Sequence, residues 1–247
     1  MEWQEPAIVL EVAAHGEGDA LVTLLTPIGA WRGLAKGGAS RAKSATWQPG
    51  NLLSARWAAR LADQLGIFTG ELVHPAAALA MQDREALAIL NAACALAAGA
   101  LPEREPHPDA FAGLTRLLAG IDIPNHPLPS LIRWEVALLR ELGFGLDFSA
   151  PASSNDRLAY VSPRTGRAVT LSQAGEWVDR LFPLPEFLLD DSSPNPGPNP
   201  GPTLADCLAG LKITGHFFTR DVFGARHRPL PTARARLYDL ISDRLAE

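Results

Sequence analysis

The chain has 247 residues, 47% of them hydrophobic, and a formal net charge of -5 at pH 7. That is enough apolar material for one large or two ordinary domains that fold unaided. Cys94 and Cys207 are the only cysteines, which excludes a disulfide framework and a cysteine-rich zinc site.

The N-terminus, MEWQEP, is acidic where a secretory signal would be basic, and no apolar h-region follows it. From Ile8 to Val73 short β-rich runs (IVLEVAA, ALVTLLT, WRGLAK, NLLSARWAARL, LGIFTGELV) alternate with turn residues, the pattern of a small antiparallel barrel or sandwich with room for five strands. HGEGD, residues 15 to 19, reads as the polar turn between the first two strands, with Gly16 and Gly18 supplying the bend.

The third connection, RGLAKGGASRAKSATWQPGN, contradicts the acidic average. Between Asp19 and Asp63 the chain carries Arg32, Lys36, Arg41, Lys43, Arg56 and Arg60 and no acidic side chain. Acidic groups elsewhere scarcely cancel such a patch at its own surface, because the Debye length at physiological salt is only about 8 Å. Gly37 and Gly38 let the backbone bend, so that backbone N–H groups and the Arg41 and Lys43 side chains can converge on one phosphate. Trp47 lies in the run, and Trp31 and Trp57 beside it, where bases would stack while cations follow the backbone. The bland alternative is a solvated loop with Trp31 and Trp57 in the barrel core. The glycines match neither a Walker loop nor a dinucleotide fingerprint.

Helical periodicity takes over near Ala76: DREALAILNAACALAAGAL, DAFAGLTRLLAGI and PSLIRWEVALLRELGF are separated by proline-containing connections. The apolar stretch from Ala86 is interrupted by Asn91 and falls short of the ~20 residues of a spanning helix, so the protein is expected in the cytoplasm. Arg133 and Arg140, seven apart with Ala137 between, share one helix face beside an apolar surface. LAYVSPRTGRAVTL reads as a hairpin turning at PRTG. Residues 190 to 202, DDSSPNPGPNPGP, read as a mobile linker. After LADCLAGLKITGHFFTRDVF comes a last helix, TARARLYDLISDRLAE, with Leu237, Leu240, Ile241 and Leu245 at the spacing of a buried stripe. Arg226, Arg228, Arg234 and Arg236 form a second acid-free basic segment that would either extend a polyanion surface or decorate the helix start. His216 and His227 lack partners at metal-ligand spacing.

Taken in order, HGEGDALVTLLTPIGAWRGLAKGGASR, QPGNLL, ARLADQLGIFTGEL, LIRWEVALLRELGFGLDFS, YVSPRTGRAV, LKITGHFF and LPTARARL resemble the RecO family of bacterial recombination mediators nearly end to end. The resemblance implies an α+β protein: an N-terminal five-stranded OB-fold barrel over residues 1–75, then a helical domain over 76–247 with a hairpin insertion at about 147–172. It implies binding to single- and double-stranded DNA, strand annealing, partnership with RecR and the single-strand-binding protein, and loading of RecA, without covalent chemistry or cofactor. From the acid-free basic run, DNA contacts are expected at Arg32, Lys36, Arg41, Lys43, Trp47, Arg56 and Arg60. Arg133 and Arg140 either offer a dock for the acidic tail of the single-strand-binding protein or pair on the helix surface with Glu141 and neighbouring acids. Many relatives carry a four-cysteine zinc ribbon after the segment matching GLDF. This chain has no cysteine there, so its hairpin should hold by packing alone, with Tyr160 and Val161 against the helices. Two rivals are a scaffold without DNA binding of its own and a metal-dependent nuclease using Glu17 and Asp19.

Overall fold

The computed structural model describes residues 1–61, 64–149, 156–189 and 201–247. The chain divides into two compact units, Met1–Pro127 with Pro231–Leu237, and Leu128–Leu230 with Tyr238–Glu247.

The first unit is built on five strands: β1 (Glu2–His15), β2 (Asp19–Thr26), β3 (Gly29–Ala35), β4 (Leu52–Ala58) and β5 (Gly66–His74). They close into a barrel in the order β1-β2-β3-β5-β4, antiparallel throughout except for a parallel β3–β5 pairing. β1 serves two neighbours: its first half pairs with β4 (Glu2 to Ala58, Ile8 to Leu52) and the rest, from Ile8 on, with β2, interrupted by a bulge between Val9 and Glu11. The strand therefore starts six residues before the alternating pattern does, and takes in Pro6.

Inward residues of every strand fill the barrel, among them Val9, Val22, Leu24, Ala35, Trp57 and Phe68. Trp3 and Trp31 close around Trp57 with ring centroids 5.0–6.2 Å apart. A β-carbon at Gly66 would lie 2.0 Å from the Trp57 Nε1, so only glycine lets β5 pass the indole.

Against the barrel lie α1 (Ala76–Ala80), α2 (Arg84–Ala100) and α3 (Pro108–Ala119). Asp83 caps α2, accepting from the Glu85 and Ala86 N–H groups at 2.6 and 3.0 Å. The buried side of α2, including Ile89, Leu90 and Cys94, faces β1 and the chain before β4: the Cys94 thiol lies 3.7 Å from the Val9 carbonyl, and the Leu90 side chain fills the space over Gly50.

The second unit contains α4 (Pro127–Glu141), a small sheet, α5 (Leu171–Ala174) and α6 (Leu204–Phe217), which runs on into a wide turn over Phe218–Phe223. The sheet has three strands where the periodicity suggests two: β6 (Leu158–Val161) lies between β7 (Ala168–Thr170) and β8 (Phe182–Pro183). A two-residue strand is too short to leave an alternating pattern. The sheet is held by more than packing, since the Pro163 carbonyl at its turn meets the His216 Nε2 at 3.0 Å and the Arg220 guanidinium, which also donates to the Arg164 carbonyl at 3.2 Å. Glu135, fully buried on α4, accepts from the Thr214 hydroxyl at 2.5 Å.

The last helix, α7 (Thr232–Ala246), contributes its residues through Leu237 to the first unit and the remainder to the second. Leu237 and Ile241 are buried as the stripe requires, but Leu245 is 45% exposed near the frayed end. Of the proline-rich segment 190–202, only Gly201 and Pro202 fall within the described residues. No helix among the described residues is long and apolar enough to cross a membrane.

Candidate nucleic-acid interface

The basic loop leaves β3 at Lys36 and folds down on the end of the sheet. A β-carbon at Gly38 would lie 2.9 Å from the Ala35 Cβ and 3.0 Å from that of Ala20. The β1–β2 turn clasps the loop: the Asp19 carboxylate accepts from the Gly37 N–H at 2.7 Å, and the Gly18 carbonyl accepts from Ala39 at 3.0 Å. Gly38 donates to Ala35, Ser40 to Gly37, and Lys43 and Ser44 both to Ser40. The N–H groups expected to cradle a phosphate are thus already used inside the protein, and the sequence-based nest does not form. Cationic side chains remain.

The far end of the loop is pinned by Asn51, which is buried: its Nδ2 donates to the Ala45 and Thr46 carbonyls at 2.8 and 3.2 Å, and its Oδ1 accepts from the Ala77 N–H at 3.1 Å. Asp19 and Asn51 are the residues that sequence reasoning missed. Both were visible only as turn formers, since their partners stand 18 and 26 residues away.

Lys36, Arg41 and Lys43 are exposed, and none has a carboxylate partner among the described residues. The Lys43 ammonium reaches only the Lys36 carbonyl, at 3.3 Å. Arg32 points outward from β3, four residues before Lys36, which follows the end of the strand, with Glu103 3.8 Å away. Arg56 lies outside β4 and is ion-paired with Glu2, whose carboxyl it holds below the usual range by hydrogen bond and charge. Arg60 is exposed beyond β4, beside an open cleft of about 560 Å³. The acid-free run in sequence is therefore not acid-free in space. Glu2, Asp19 and Glu103 are folded onto it, and among the described residues the charge without a carboxylate partner concentrates on Lys36, Arg41, Lys43 and Arg60.

Trp47 requires a correction. It is 5% exposed, inside the barrel with its ring 6.5 Å from that of Phe68, so it offers no face to a base. The loop that carries it turns inward after Thr46, where Asn51 holds the backbone, and burying an indole outweighs keeping it at the surface. Trp57 is likewise core, as the bland reading has it, while Trp31 is partly exposed and lies under the Arg104 guanidinium at 5.0 Å.

The second basic segment divides. Arg234 is 1% exposed and belongs to the interior; Arg236 is exposed. Arg236 lines a cavity of about 850 Å³ within the first unit, together with Arg32, Arg84 on α2, and Glu11. In the second unit Arg133, Ala137 and Arg140 are exposed along one face of α4, and the Arg133 guanidinium is fixed by the Phe187 carbonyl at 3.1 Å and lies 5.2 Å from its ring centre. Among the described residues no group of three or more His, Cys, Asp or Glu side chains could hold a metal ion.

A closed barrel with this strand order, carrying its free cations on a loop at one end, defines an OB-fold module followed by a helical region with a small sheet. Residues 1–76 match the family model described as Recombination protein O N terminal, and residues 81–229 the one described as Recombination protein O C terminal. The chain is similar to the DNA repair protein RecO of Acidiphilium cryptum, 59% identical over 99% of this chain and 97% of that one. The corresponding proteins of Gluconacetobacter diazotrophicus and Granulibacter bethesdensis are each 51% identical over 98% of this chain, covering 95% and 96% of theirs. The chain belongs to the recombination protein O family.

Proposed function

We propose that this protein is a DNA-binding mediator of recombinational repair, acting in the cytoplasm by non-covalent binding alone. It binds single- and double-stranded DNA, anneals complementary strands, and with RecR and the single-strand-binding protein helps load RecA onto gaps. The observation that carries this reading is the group of exposed cations, Lys36, Arg41 and Lys43, unmatched by carboxylates among the described residues, on the connecting loop of an OB-fold barrel. Arg60 and Arg32 add charge around it, and Arg56 contributes less because Glu2 neutralises it. Covering the charge on two strands lowers their repulsion, and side chains that touch only phosphate leave complementarity to be tested by the strands themselves.

Support for a helical-domain dock comes from Arg133 and Arg140, exposed on one face with the Phe187 ring beside Arg133; carboxylates of the single-strand-binding protein's tail would pair with them. Against the nuclease alternative, one of its two acids, Asp19, uses a carboxylate oxygen to anchor the Gly37 N–H.

The test is a fluorescence titration of single-stranded DNA against salt. Each phosphate contact contributes about -0.7 to the slope of log affinity against log salt, so K36A/R41A/K43A should flatten the slope by about two. A folded triple variant with the parental slope would remove the loop from the interface, and a parental protein that binds no DNA would leave the scaffold reading.

A further inference from the structure

The cavity within the first unit has a sheet wall and a helix wall. Its sheet wall is the outer face of β1, β2 and β3, carrying Glu11, Thr23 and Arg32, which are aligned side by side in the strand register, with Ala13 and Leu21 one step further on. Arg84, Leu87, Ala88, Asn91 and Ala95, one face of α2, form the helix wall, and Arg236 comes from the start of α7. Arg32 and Leu34 alternate with inward residues along β3, which ends at Ala35, and Lys36 opens the basic loop one residue further, so the sheet wall ends at the base of that loop. Arg84 and Arg236 are exposed and have no ion-pair partner among the described residues, while Glu11 is the one carboxylate in the lining.

We infer that this cavity is a channel for the backbone of single-stranded DNA, entered from the basic loop, and that Arg84 and Arg236 make the protein prefer single strands over duplex at this point. The inference rests on the DNA-binding reading above. Three guanidiniums around aliphatic walls suit phosphates with sugars between them. A volume of about 850 Å³ is that of a compact-ligand site and takes in a flexible strand, whereas a duplex, whose two backbones are held apart by paired bases, would lie across its mouth. Duplex DNA is left with the loop cations outside.

Equilibrium binding of a dT oligomer and of a duplex to the full chain tests this. R84A/R236A should weaken the single strand on the order of tenfold and flatten its salt slope by roughly 1.4, while duplex affinity stays within about twofold. N91E, which puts a negative charge in the channel without touching an arginine, should reproduce the selective loss. K36A/R41A/K43A should weaken both forms. Equal loss on both forms, or parental affinity in both R84A/R236A and N91E, would overturn the channel while leaving the loop interface intact; absence of salt-dependent DNA binding by the parent would instead overturn the reading beneath it. Arginine footprinting with phenylglyoxal separates the other occupant: shielding of Arg84 and Arg236 by an oligoglutamate peptide but not by the dT oligomer would assign the channel to an acidic peptide.

Discussion

Arg41 and Trp47 are six residues apart in one loop and take opposite roles, the first at the surface and the second in the barrel core. Truncation at Trp47 should therefore act through stability. Trp47→Ala should cost about 3–5 kcal/mol in urea denaturation, whereas Trp47→Phe should leave DNA affinity within about twofold of the parent once folded. Cys94 offers a second test at this scale. Burial pushes its thiol from 9.0 up to about 12. A folded value above the unfolded one means that the folded state holds this proton more tightly, so stability is intact below about pH 9 and declines as pH rises toward 12. Cys94 should resist a thiol reagent in the native protein at pH 8, and the alkaline decline above pH 9 should be smaller in Cys94→Ala.

At the scale of elements, the basic loop and the small sheet are both held by side chains from elsewhere in the sequence. Asp19→Ala should speed amide hydrogen exchange at Gly37 while barrel strands keep their protection, because only the clasp from the β1–β2 turn is lost. Arg220→Ala should raise exchange across Ser162–Arg167, since two carbonyls of that turn lose their donor and only His216 remains on Pro163. Such tertiary clasps set the limit on what the sequence discloses. Strands β2 to β5 and helices α2 to α4 follow from periodicity because each buries one face against a neighbour. The first half of β1 does not, because Pro6 and the flanking acids obscure a strand whose partner, β4, lies some fifty residues on. Lys36, Arg41 and Lys43 were readable as exposed cations from composition alone. That Glu2 and Glu103 would return to Arg56 and Arg32, and that the loop's N–H groups would be consumed internally, depends on pairings that no local pattern carries.

For the whole molecule, a net charge of -5 and a cationic face coexist because screening confines each to its own neighbourhood. On the proposed reading, DNA binding should be independent of base sequence, measured as equal affinity for mixed-sequence oligomers of one length, since cations that touch only phosphate read no base edge. Barrel closure has a further consequence, for synthesis on the ribosome. The first half of β1 gains its partner only when β4 has been made, and the parallel β3–β5 contact forms later still. At roughly 5–20 residues per second the nascent first half of β1, with Trp3 uncovered, waits several seconds as an unpaired edge. Charged side chains on such an edge, here Glu2 and Glu5, disfavour wrong pairing, and Glu2 is neutralised only once Arg56 has been made.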